Sequence, residues 1–336
     1  MSTQKGSETP QVVVVDRGQP ERERLRAPAA ALRRGELVAF PTETVYGLGA
    51  NALDAEAIAK IYEAKGRPAN NPLIVHVPDL ASAKALAARW PEEATRLAEA
   101  FWPGPLTLVV PRKEEVVATV SAGLDTVGLR VPAHPVARAL LEEAGVPVAA
   151  PSANLYTQTS PTRAAHVLKS LGGRVGWVID GGATEVGVES TVVSLAGEVP
   201  VLLRPGMVSL EALREVVGEV HTLAEAPAED APRQSPGLAR RHYAPGVPLR
   251  VREKEAIEAD LRQGRGQGVG CVVREALRCE GAVAVVLPRD AAGFAAGLYD
   301  ALHRLERLGV DAIWVEAPPG EAAWEAIRDR LDRAAH

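Results

Sequence analysis

The sequence has few cysteines and few aromatic residues. Cys271 and Cys279 are its two cysteines, and Phe, Trp and Tyr together make up 4% of the 336 residues. Two cysteines without a neighbouring histidine pair provide neither a disulfide framework nor a convincing zinc motif, so we expect thiols in a reducing compartment. Because aromatic residues are scarce, the hydrophobic cores must be built mainly from Val, Leu, Ala and Ile.

Membrane-directed and strongly basic segments are also missing. The first ten residues, MSTQKGSETP, are polar, and no stretch approaches the apolar length of a membrane span. We therefore expect a cytoplasmic protein with no membrane partner. The net charge of −5 and the isoelectric point of about 5.9 argue against a dedicated polyanion-binding protein, although a local basic cleft remains compatible with them.

Two common nucleotide-binding motifs are absent. The sequence contains no G-x-x-x-x-G-K-[ST] segment, which excludes a P-loop. A glycine cluster at 264–270 has the wrong spacing for a dinucleotide fingerprint, and it leads into a predicted strand instead of leaving one. The cluster is typical of a plain turn.

The length and the pattern predict two α/β domains joined by a linker. Over 11–217, strands and helices intermix without strict βαβ alternation, which favours an open, twisted mixed sheet with helices. Residues 218–246 are rich in Ala, Pro, Glu and Gly and lack apolar periodicity, so we interpret them as a linker. Residues 247–336 alternate strands and helices and predict a smaller Rossmann-like domain.

Three local predictions bear on the site. Gln11–Val15 is predicted as a short buried strand. Pro161–Leu171 is predicted as a helix, with Ser160 as its N-cap. Between a strand that Pro41 ends and the next helix, Thr42, Glu43 and Thr44 precede several small residues. Such a segment suits a small polar ligand, and an ordinary turn explains it equally well.

A short loop after the next predicted helix collects cations and amides. Lys65 and Arg67 flank Gly66, and Asn70 and Asn71 follow. This grouping suits a polyphosphate, whose charge needs several donors at once, but the two cations could also complement the helix dipole. His76 lies within the strand LIVHV, and a lone strand histidine is more often structural than functional.

Another cation lies inside an apolar strand. Thr126 and Arg130 are four residues apart, so both side chains lie on one face of an extended strand. An arginine there is costly unless it meets an anion. A ligand carboxylate would supply that anion, and so would an internal ion pair.

Hydroxyls and a further arginine recur at later strand ends. Ser152 and Asn154 follow one strand, and hydroxyls near a helix N-terminus are good donors to phosphate or carboxylate. Other polar residues occupy similar places: Ser160, Glu189, Ser190, Thr191 and Arg204. The predicted linker carries the basic and aromatic run 240–243, which is unusual for a simple spacer.

Taken in order, these segments resemble the threonylcarbamoyl-AMP synthase family in its longer two-domain form, with a YrdC-like catalytic domain. The matching stretches are FPTETVYGLGANA, KGRPANNPLIVHV, FWPGPLTLVV, VGLRVP, APSAN, ESTVV and LRPG. They cover roughly residues 20–210. The linker SPGLARRHYAP departs from the family signature at Leu238, Ala239 and Arg240, and the second domain is identified mainly by position and length.

The resemblance implies a set of ligand-binding residues. For L-threonine these are Thr44, His76, Arg130, Ala150 and Ser190, with Arg130 pairing with the threonine carboxylate. For ATP they are Arg67, Asn71, Thr126, Ser152, Ser160, Arg204 and Tyr243. Lys65 would lie nearby and, with Arg67 and Arg130, align the reactants without covalent catalysis. Tyr243 would close over the cavity from the linker.

The resemblance also implies a reaction. The enzyme would be a nucleotidyltransferase that makes L-threonylcarbamoyladenylate and pyrophosphate from L-threonine, ATP and bicarbonate or CO2. A downstream threonylcarbamoyl transferase complex would then modify position 37 of tRNAs that read ANN codons. Mg2+ would accompany ATP, and since no dense Asp/Glu cluster is evident, we expect no metal site built by the protein.

Two other functions are compatible with the same fold. A non-catalytic RNA-binding protein would need a basic, aromatic surface, which the composition disfavours. A carbamoyl-transfer module of a metallocentre-maturation enzyme would carry additional cysteine-rich zinc motifs, and this sequence has none.

Overall fold

The computed structural model describes residues 9–223, 241–277 and 281–335. Within these residues the strands form one sheet of eleven strands and a second sheet of four. The large sheet lies in the N-terminal two thirds of the chain, and the small sheet forms the C-terminal domain. Among the described residues, no helix has the length and apolar character needed to cross a bilayer.

The large sheet combines short strands with helices on both faces. Its strands are β1 Gln11–Val14, β2 Val38–Pro41, β3 Tyr46–Asn51, β4 Ile74–His76, β5 Leu106–Pro111, β6 Thr126–Arg130, β7 Val148–Ala149, β8 Trp177–Asp180, β9 Thr191–Ser194, β10 Val201–Arg204 and β11 His221–Thr222. Its helices are α1 Arg22–Arg33, α2 Ala55–Lys65, α3 Leu80–Leu86, α4 Glu92–Phe101, α5 Pro135–Ala144, α6 Ala164–Leu171 and α7 Leu210–Val217. Short 3-10 turns occur at Ala118–Ser121 and Gly172–Arg174.

The strand order confirms a mixed sheet. The strands follow one another as β1-β8-β2-β3-β7-β4-β6-β5-β9-β10-β11. β4 and β6 are parallel, whereas β5 and β6 are antiparallel. The register places His76 beside Arg130 on one side and beside Val148 on the other. The middle of the sheet thus brings together side chains from segments distant in sequence.

Local signals explain how α2 delivers the cationic loop. The Asp54 carboxylate accepts hydrogen bonds from the backbone of Glu56 and Ala57, which caps the first turn. The helix ends at Gly66, whose φ of 61° is left-handed and suits glycine. Its apolar face is buried in the largest core cluster. Arg67 therefore leaves the helix at a fixed point beside the sheet.

The C-terminal domain is a parallel α/β sandwich, as predicted. Its strands are β12 Leu249–Arg252, β13 Val269–Val273, β14 Val283–Val286 and β15 Ala312–Glu316, in the order β12-β15-β13-β14. Its helices are α8 Lys254–Arg262, α9 Ala291–Arg307 and α10 Glu325–Ala334, the last preceded by a 3-10 turn at Ala322–Trp324. α8 packs in one apolar cluster, while α9 and α10 pack in another on the opposite face.

One core cluster joins the two domains. Val45 and Val188 of the first domain pack in the same buried cluster as Phe294 and Leu298 of α9. Tyr243, from the predicted linker, lies in that cluster and is 1% exposed. The two domains therefore share apolar packing around Tyr243.

Two predictions about local structure were wrong. β1 is not buried, because it forms an edge of the large sheet and leaves Val12 47% and Val14 61% exposed. In the segment 40–52, where the sequence left a ligand-binding segment and an ordinary turn open, β2 and β3 form an antiparallel hairpin. At Gly49 an added Cβ would lie 2.9 Å from both Phe40 and Val148, so the close packing of the strands requires glycine.

The second error concerns the helix predicted from Pro161. The helix α6 begins at Ala164, and its N-cap is Arg163, which makes no side-chain cap. Ser160 lies outside the helix and donates its hydroxyl hydrogen to Glu189 instead. A favourable capping sequence was therefore overridden by a tertiary contact.

The structure describes part of the predicted linker. Residues 224–240 lie outside the described residues. They include Ser235–Arg240, the first part of the linker stretch SPGLARRHYAP. At the start of the predicted linker, β11 pairs with β10 and Val220 is 1% exposed, so this part belongs to the large sheet. Cys271 is buried in β13, whereas Cys279 lies outside the described residues.

Candidate active site

A cavity lined by many polar and charged residues opens where the central strands of the large sheet end. It is lined by all five residues predicted to hold L-threonine: Thr44, His76, Arg130, Ala150 and Ser190. It is also lined by four of the residues predicted to hold ATP: Arg67, Ser152, Arg204 and Tyr243. Motifs separated by some two hundred residues thus converge on one space.

Four other predicted residues lie beside this cavity or behind its wall. Thr126 lines a smaller adjoining cavity, and Ile74 borders both cavities. Asn71 is fully buried, and neither polar atom of its side-chain amide has a hydrogen-bond partner among the described residues. Ser160 and Lys65 are buried behind the cavity wall. An unpartnered buried amide is expected where a polar ligand completes the contacts.

Lys65 is bound to the backbone that forms the cavity wall. Its Nζ donates hydrogen bonds of 2.6 Å to the Ser152 carbonyl and 2.5 Å to the Asn154 carbonyl. Burial, and after it the nearby Arg67 charge, lowers the pKa of Lys65 well below its ordinary value. Lys65 therefore fixes the loop that carries Ser152, and it does not act only on the dipole of α2.

Arg67 and Arg204 are held in the same way. Arg67 donates to the carbonyls of Asn71 at 3.3 Å and Pro72 at 2.9 Å. Arg204 donates from Nε and Nη2 to the Ser190 carbonyl, at 3.0 and 2.9 Å, and from Nη2 to the Ser190 hydroxyl at 3.1 Å. These carbonyl contacts fix the two guanidinium groups at the wall of the cavity, where an anion could contact them.

Arg130 has the internal partner that the sequence left open. Its Nη2 lies 2.7 Å from the Glu43 carboxylate, and both side chains are only 4% exposed. Its Nε donates to the Gly104 carbonyl at 3.3 Å. Arg130 nonetheless lines the cavity. Glu43 thus fixes the guanidinium from behind and partly neutralises it.

His76 faces the cavity as a neutral ring. Burial, and then the positive charge of Arg130, lowers the pKa of His76 to about 3. A neutral imidazole next to a guanidinium can donate or accept a hydrogen bond without adding charge. His76 therefore suits a polar group of a ligand better than an anionic one.

Residues from the predicted linker form one side of the cavity. Both His242 and Tyr243 line it. Tyr243 adopts a left-handed φ of 61°, and the next residue, Ala244, is tied to the first domain by two backbone hydrogen bonds, to Thr157 at 2.9 Å and from Thr159 at 3.1 Å. This part of the linker does fold against the cavity.

Sequence reasoning missed two residues of the C-terminal domain and assigned no role to Glu189. Glu189 lines the cavity, and its carboxylate accepts hydrogen bonds from Ser160, from Tyr299 of α9 and from Arg330 of α10. Tyr299 and Arg330 occupy helical positions that pattern alone assigns to an ordinary core or surface. A buried arginine on a short helix carries no sequence signal that separates it from an exposed one.

The His, Cys, Asp and Glu side chains of the described residues do not form a metal site. Within the part of the chain that the structure describes, no group of three or more His, Cys, Asp or Glu side chains could hold an ion. Among the described residues lining the cavity, Glu189 is the carboxylate, and three donors already occupy it. These residues do not fit a protein-built Mg2+ site.

Comparison with known proteins agrees with this arrangement. A family model named Sua5_yciO_yrdC and described as "Telomere recombination" matches residues 30–206. A second, described as "Threonylcarbamoyl-AMP synthase, C-terminal domain", matches residues 208–336.

Individual relatives match over nearly the whole chain. The chain is 45% identical to a threonylcarbamoyl-AMP synthase of Bacillus subtilis, over 91% of each chain. It is 42% identical to one of Pyrococcus abyssi, over 96% of this chain and 97% of the relative. A crystal structure of P. abyssi Sua5 complexed with L-threonine superposes with a TM-score of 0.90 at 40% identity, over 97% of both chains. The chain therefore belongs to the threonylcarbamoyl-AMP synthase family of enzymes, in its two-domain form.

Proposed function

We propose that the chain joins L-threonine, bicarbonate or CO2, and ATP into L-threonylcarbamoyladenylate, with release of pyrophosphate. The observation that carries this proposal is a single cavity that combines two kinds of site. One part holds Arg130 beside neutral polar groups, and another holds Arg67 and Arg204, which backbone carbonyls orient. The threonine-bound relative supports the first part.

Threonine would bind at the end of β4 and β6. The Arg130 guanidinium, held by Glu43, would pair with the threonine carboxylate, because this cation is buried and faces the cavity. Thr44, Ser190 and the neutral ring of His76 would contact the polar groups of threonine. The backbone at 150 would complete the pocket.

ATP would lie along the cationic wall. Arg67 and Arg204 would bind phosphate oxygens, and the free amide of Asn71 would gain a partner there. The remaining predicted contacts are Thr126, Ser152, Ser160 and Tyr243. Lys65 would act mainly by holding the loop of Ser152 in place.

The chemistry needs alignment more than it needs a reactive side chain. The neutral threonine amine attacks the carbon donor to give a carbamate, and a carbamate oxygen then attacks the α-phosphorus while pyrophosphate leaves. Fixed cations around the phosphates stabilise the charge that develops. Mg2+ would enter bound to ATP oxygens and water, since the residues that the structure describes include no cluster of carboxylates to hold it.

Water exclusion is a second task for the protein. Carbamates and acyl adenylates hydrolyse readily, and the packing of Tyr243 against both domains would shield them. The product would pass to a downstream threonylcarbamoyl transferase complex for modification of position 37 in tRNAs reading ANN codons. The chain itself would then meet tRNA only indirectly, in the cytoplasm.

Mass spectrometry of the products tests the proposal. With ATP, L-threonine and bicarbonate together, the purified chain should yield threonylcarbamoyladenylate and pyrophosphate. Omitting either threonine or bicarbonate should abolish pyrophosphate release. Equal release without threonine would refute the proposal. Use of carbamoyl phosphate without threonine would favour a carbamoyl-transfer module, and tRNA binding without ATP consumption would favour an RNA-binding protein.

A further inference from the structure

Glu189 places a negative charge in the wall of an otherwise cationic cavity. A carboxylate next to a bound triphosphate would repel it strongly at low local dielectric. Its charge must therefore be offset by donors that stay in place while substrates enter and leave. The described contacts of Glu189 show where those donors come from.

Two of the three side-chain donors to Glu189 belong to the C-terminal domain. Arg330 donates from Nε to Oε2 at 2.8 Å, and Tyr299 donates its hydroxyl to the same oxygen at 3.1 Å. The third donor, Ser160, bonds Oε1 at 2.5 Å. The Arg330 side chain is fully buried, so this guanidinium meets the first domain without solvent between them.

Arg330 also contacts two other segments of the cavity wall. Its Nη2 donates to the Pro205 carbonyl at 3.0 Å, in the turn that follows Arg204. Its guanidinium carbon lies 5.1 Å from the centre of the Tyr243 ring. That turn is tightly packed, since a Cβ at Gly206 would lie 2.3 Å from the Thr191 backbone nitrogen. One guanidinium therefore connects Glu189, the Arg204 turn and Tyr243.

We propose that Arg330 is a positioning residue for the synthase reaction, supplied by the C-terminal domain. It neutralises Glu189 and holds the Arg204 turn and Tyr243 in the geometry that nucleotide transfer requires. The inference rests on the proposed function for its chemistry. Residues 189, 204 and 243 all line the cavity, so a small displacement of Arg330 changes three parts of the wall together.

A purely structural role makes a different prediction. Buried ion pairs contribute little net stability compared with neutral groups of similar shape, whereas removing one partner is strongly destabilising. Arg330 also pairs with Asp329, which keeps Arg333 as a second partner. If Arg330 only balances these charges, neutralising Glu189 together with Arg330 should restore both the fold and the turnover. If it positions the cavity wall, neutralising both should restore the fold and leave turnover low.

The experiment compares Arg330→Gln, Glu189→Gln and the double variant in the full-length protein. We expect Arg330→Gln to lower the Tm and to lower kcat by about a hundredfold, the scale expected for misaligned reactants. In the double variant we expect the Tm to return close to the wild-type value. Its kcat should nevertheless stay below a tenth of the wild-type kcat. Arg328→Gln is the matched control on the same helix, because Arg328 bonds the Pro319 and Glu321 carbonyls within its own domain. This control should keep wild-type turnover.

Recovery of both Tm and kcat in the double variant would overturn the inference, even if Arg330→Gln alone does not fold. A folded Arg330→Gln protein with wild-type kcat would overturn it as well. If the wild-type protein forms no product, the proposed function is refuted, but the inference about Arg330 is not yet decided. The inference is then judged by calorimetric affinity for ATP in the double variant: a tenfold loss supports it, and an unchanged affinity refutes it.

Discussion

The two domains treat buried or half-buried cations differently. In the C-terminal domain, cations at the strand ends meet carboxylates: Arg274 bonds Glu316 at 2.6 and 3.1 Å, and Arg252 bonds Asp260 at 2.6 Å. At the cavity of the first domain, by contrast, Arg67 and Arg204 donate to backbone carbonyls, as Lys65 does behind the cavity wall. The two sets of cations thus differ in the groups that orient them.

The difference separates structural charges from charges that await a ligand. A cation paired with a carboxylate presents little net field to its surroundings. A cation that donates to carbonyls at the cavity wall is held in a fixed orientation, so an anion that enters the cavity can contact it without a large rearrangement. Arg130 falls between these classes, because it is paired with Glu43 and also lines the cavity.

Replacing Arg130 with alanine should give the largest effect and tests its intermediate position. We expect threonine affinity to fall by about 2–4 kcal/mol, since a buried carboxylate loses its partner and Glu43 is left unpaired. Calorimetry on folded protein measures this directly. ATP affinity should change far less.

Arg67→Ala is the matched comparison for that experiment. Here nucleotide affinity should fall first, because Arg67 lines the part of the cavity proposed for the phosphates and is oriented there by backbone carbonyls. If Arg130→Ala leaves threonine affinity unchanged, Arg130 is a structural ion-pair residue like those of the C-terminal domain. The distinction between structural cations and ligand-binding cations would then not apply to Arg130.

Arg274→Met should affect stability and leave chemistry intact. Glu316 is buried, and losing its partner should lower the free energy of unfolding by roughly 2 kcal/mol, less than for a fully buried pair because Arg274 is 22% exposed. Urea unfolding measures the loss. Turnover per folded molecule should equal that of the wild-type protein, and Arg289→Met, which removes an exposed pair with Glu275, should leave both quantities nearly unchanged. A large loss of turnover in folded Arg274→Met would show that this pair also serves the site.

The sequence predicted much of the first domain and most of its cavity. The ordered motifs located nine residues that line one space, and the mixed sheet and the Rossmann-like second domain were confirmed. Their assignment to threonine or ATP stays a prediction, as do the domain boundaries at 217 and 246. These parts were accessible because short polar segments at strand ends carry strong local signals.

Contacts between distant segments could not be predicted in this way. Ser160 has the sequence context of an N-cap, yet its hydroxyl bonds Glu189. Arg330 resembles any other arginine of an amphipathic helix until the packing of two domains buries it. Arg130 had two possible partners, and only the fold places Glu43 beside it. In each case the deciding interaction is tertiary and has no local pattern.

The smallest predicted effect concerns His76, whose ring is buried without a compensating negative charge. Its folded pKa is about 3, against an ordinary 6.5. The unfolded chain therefore binds a proton near pH 6 that the folded protein does not, so stability is complete above pH 6.5 and falls as the pH decreases. Between pH 6.5 and 5.5 this one group should cost about 1 kcal/mol.

Substituting His76 with glutamine should remove that contribution and flatten the pH dependence of unfolding by the same amount. Urea unfolding at the two pH values measures the difference. Val75→Ala is a suitable control, because Val75 is buried on the same strand and does not titrate, so its destabilisation should be equal at both pH values. Identical pH dependence in the wild type and His76→Gln would show that the imidazole takes up a proton as readily in the folded protein as in the unfolded chain. At low pH His76 would then add to the positive charge of the cavity. The proposal that Arg130 lies among neutral groups in the part that binds threonine would be wrong.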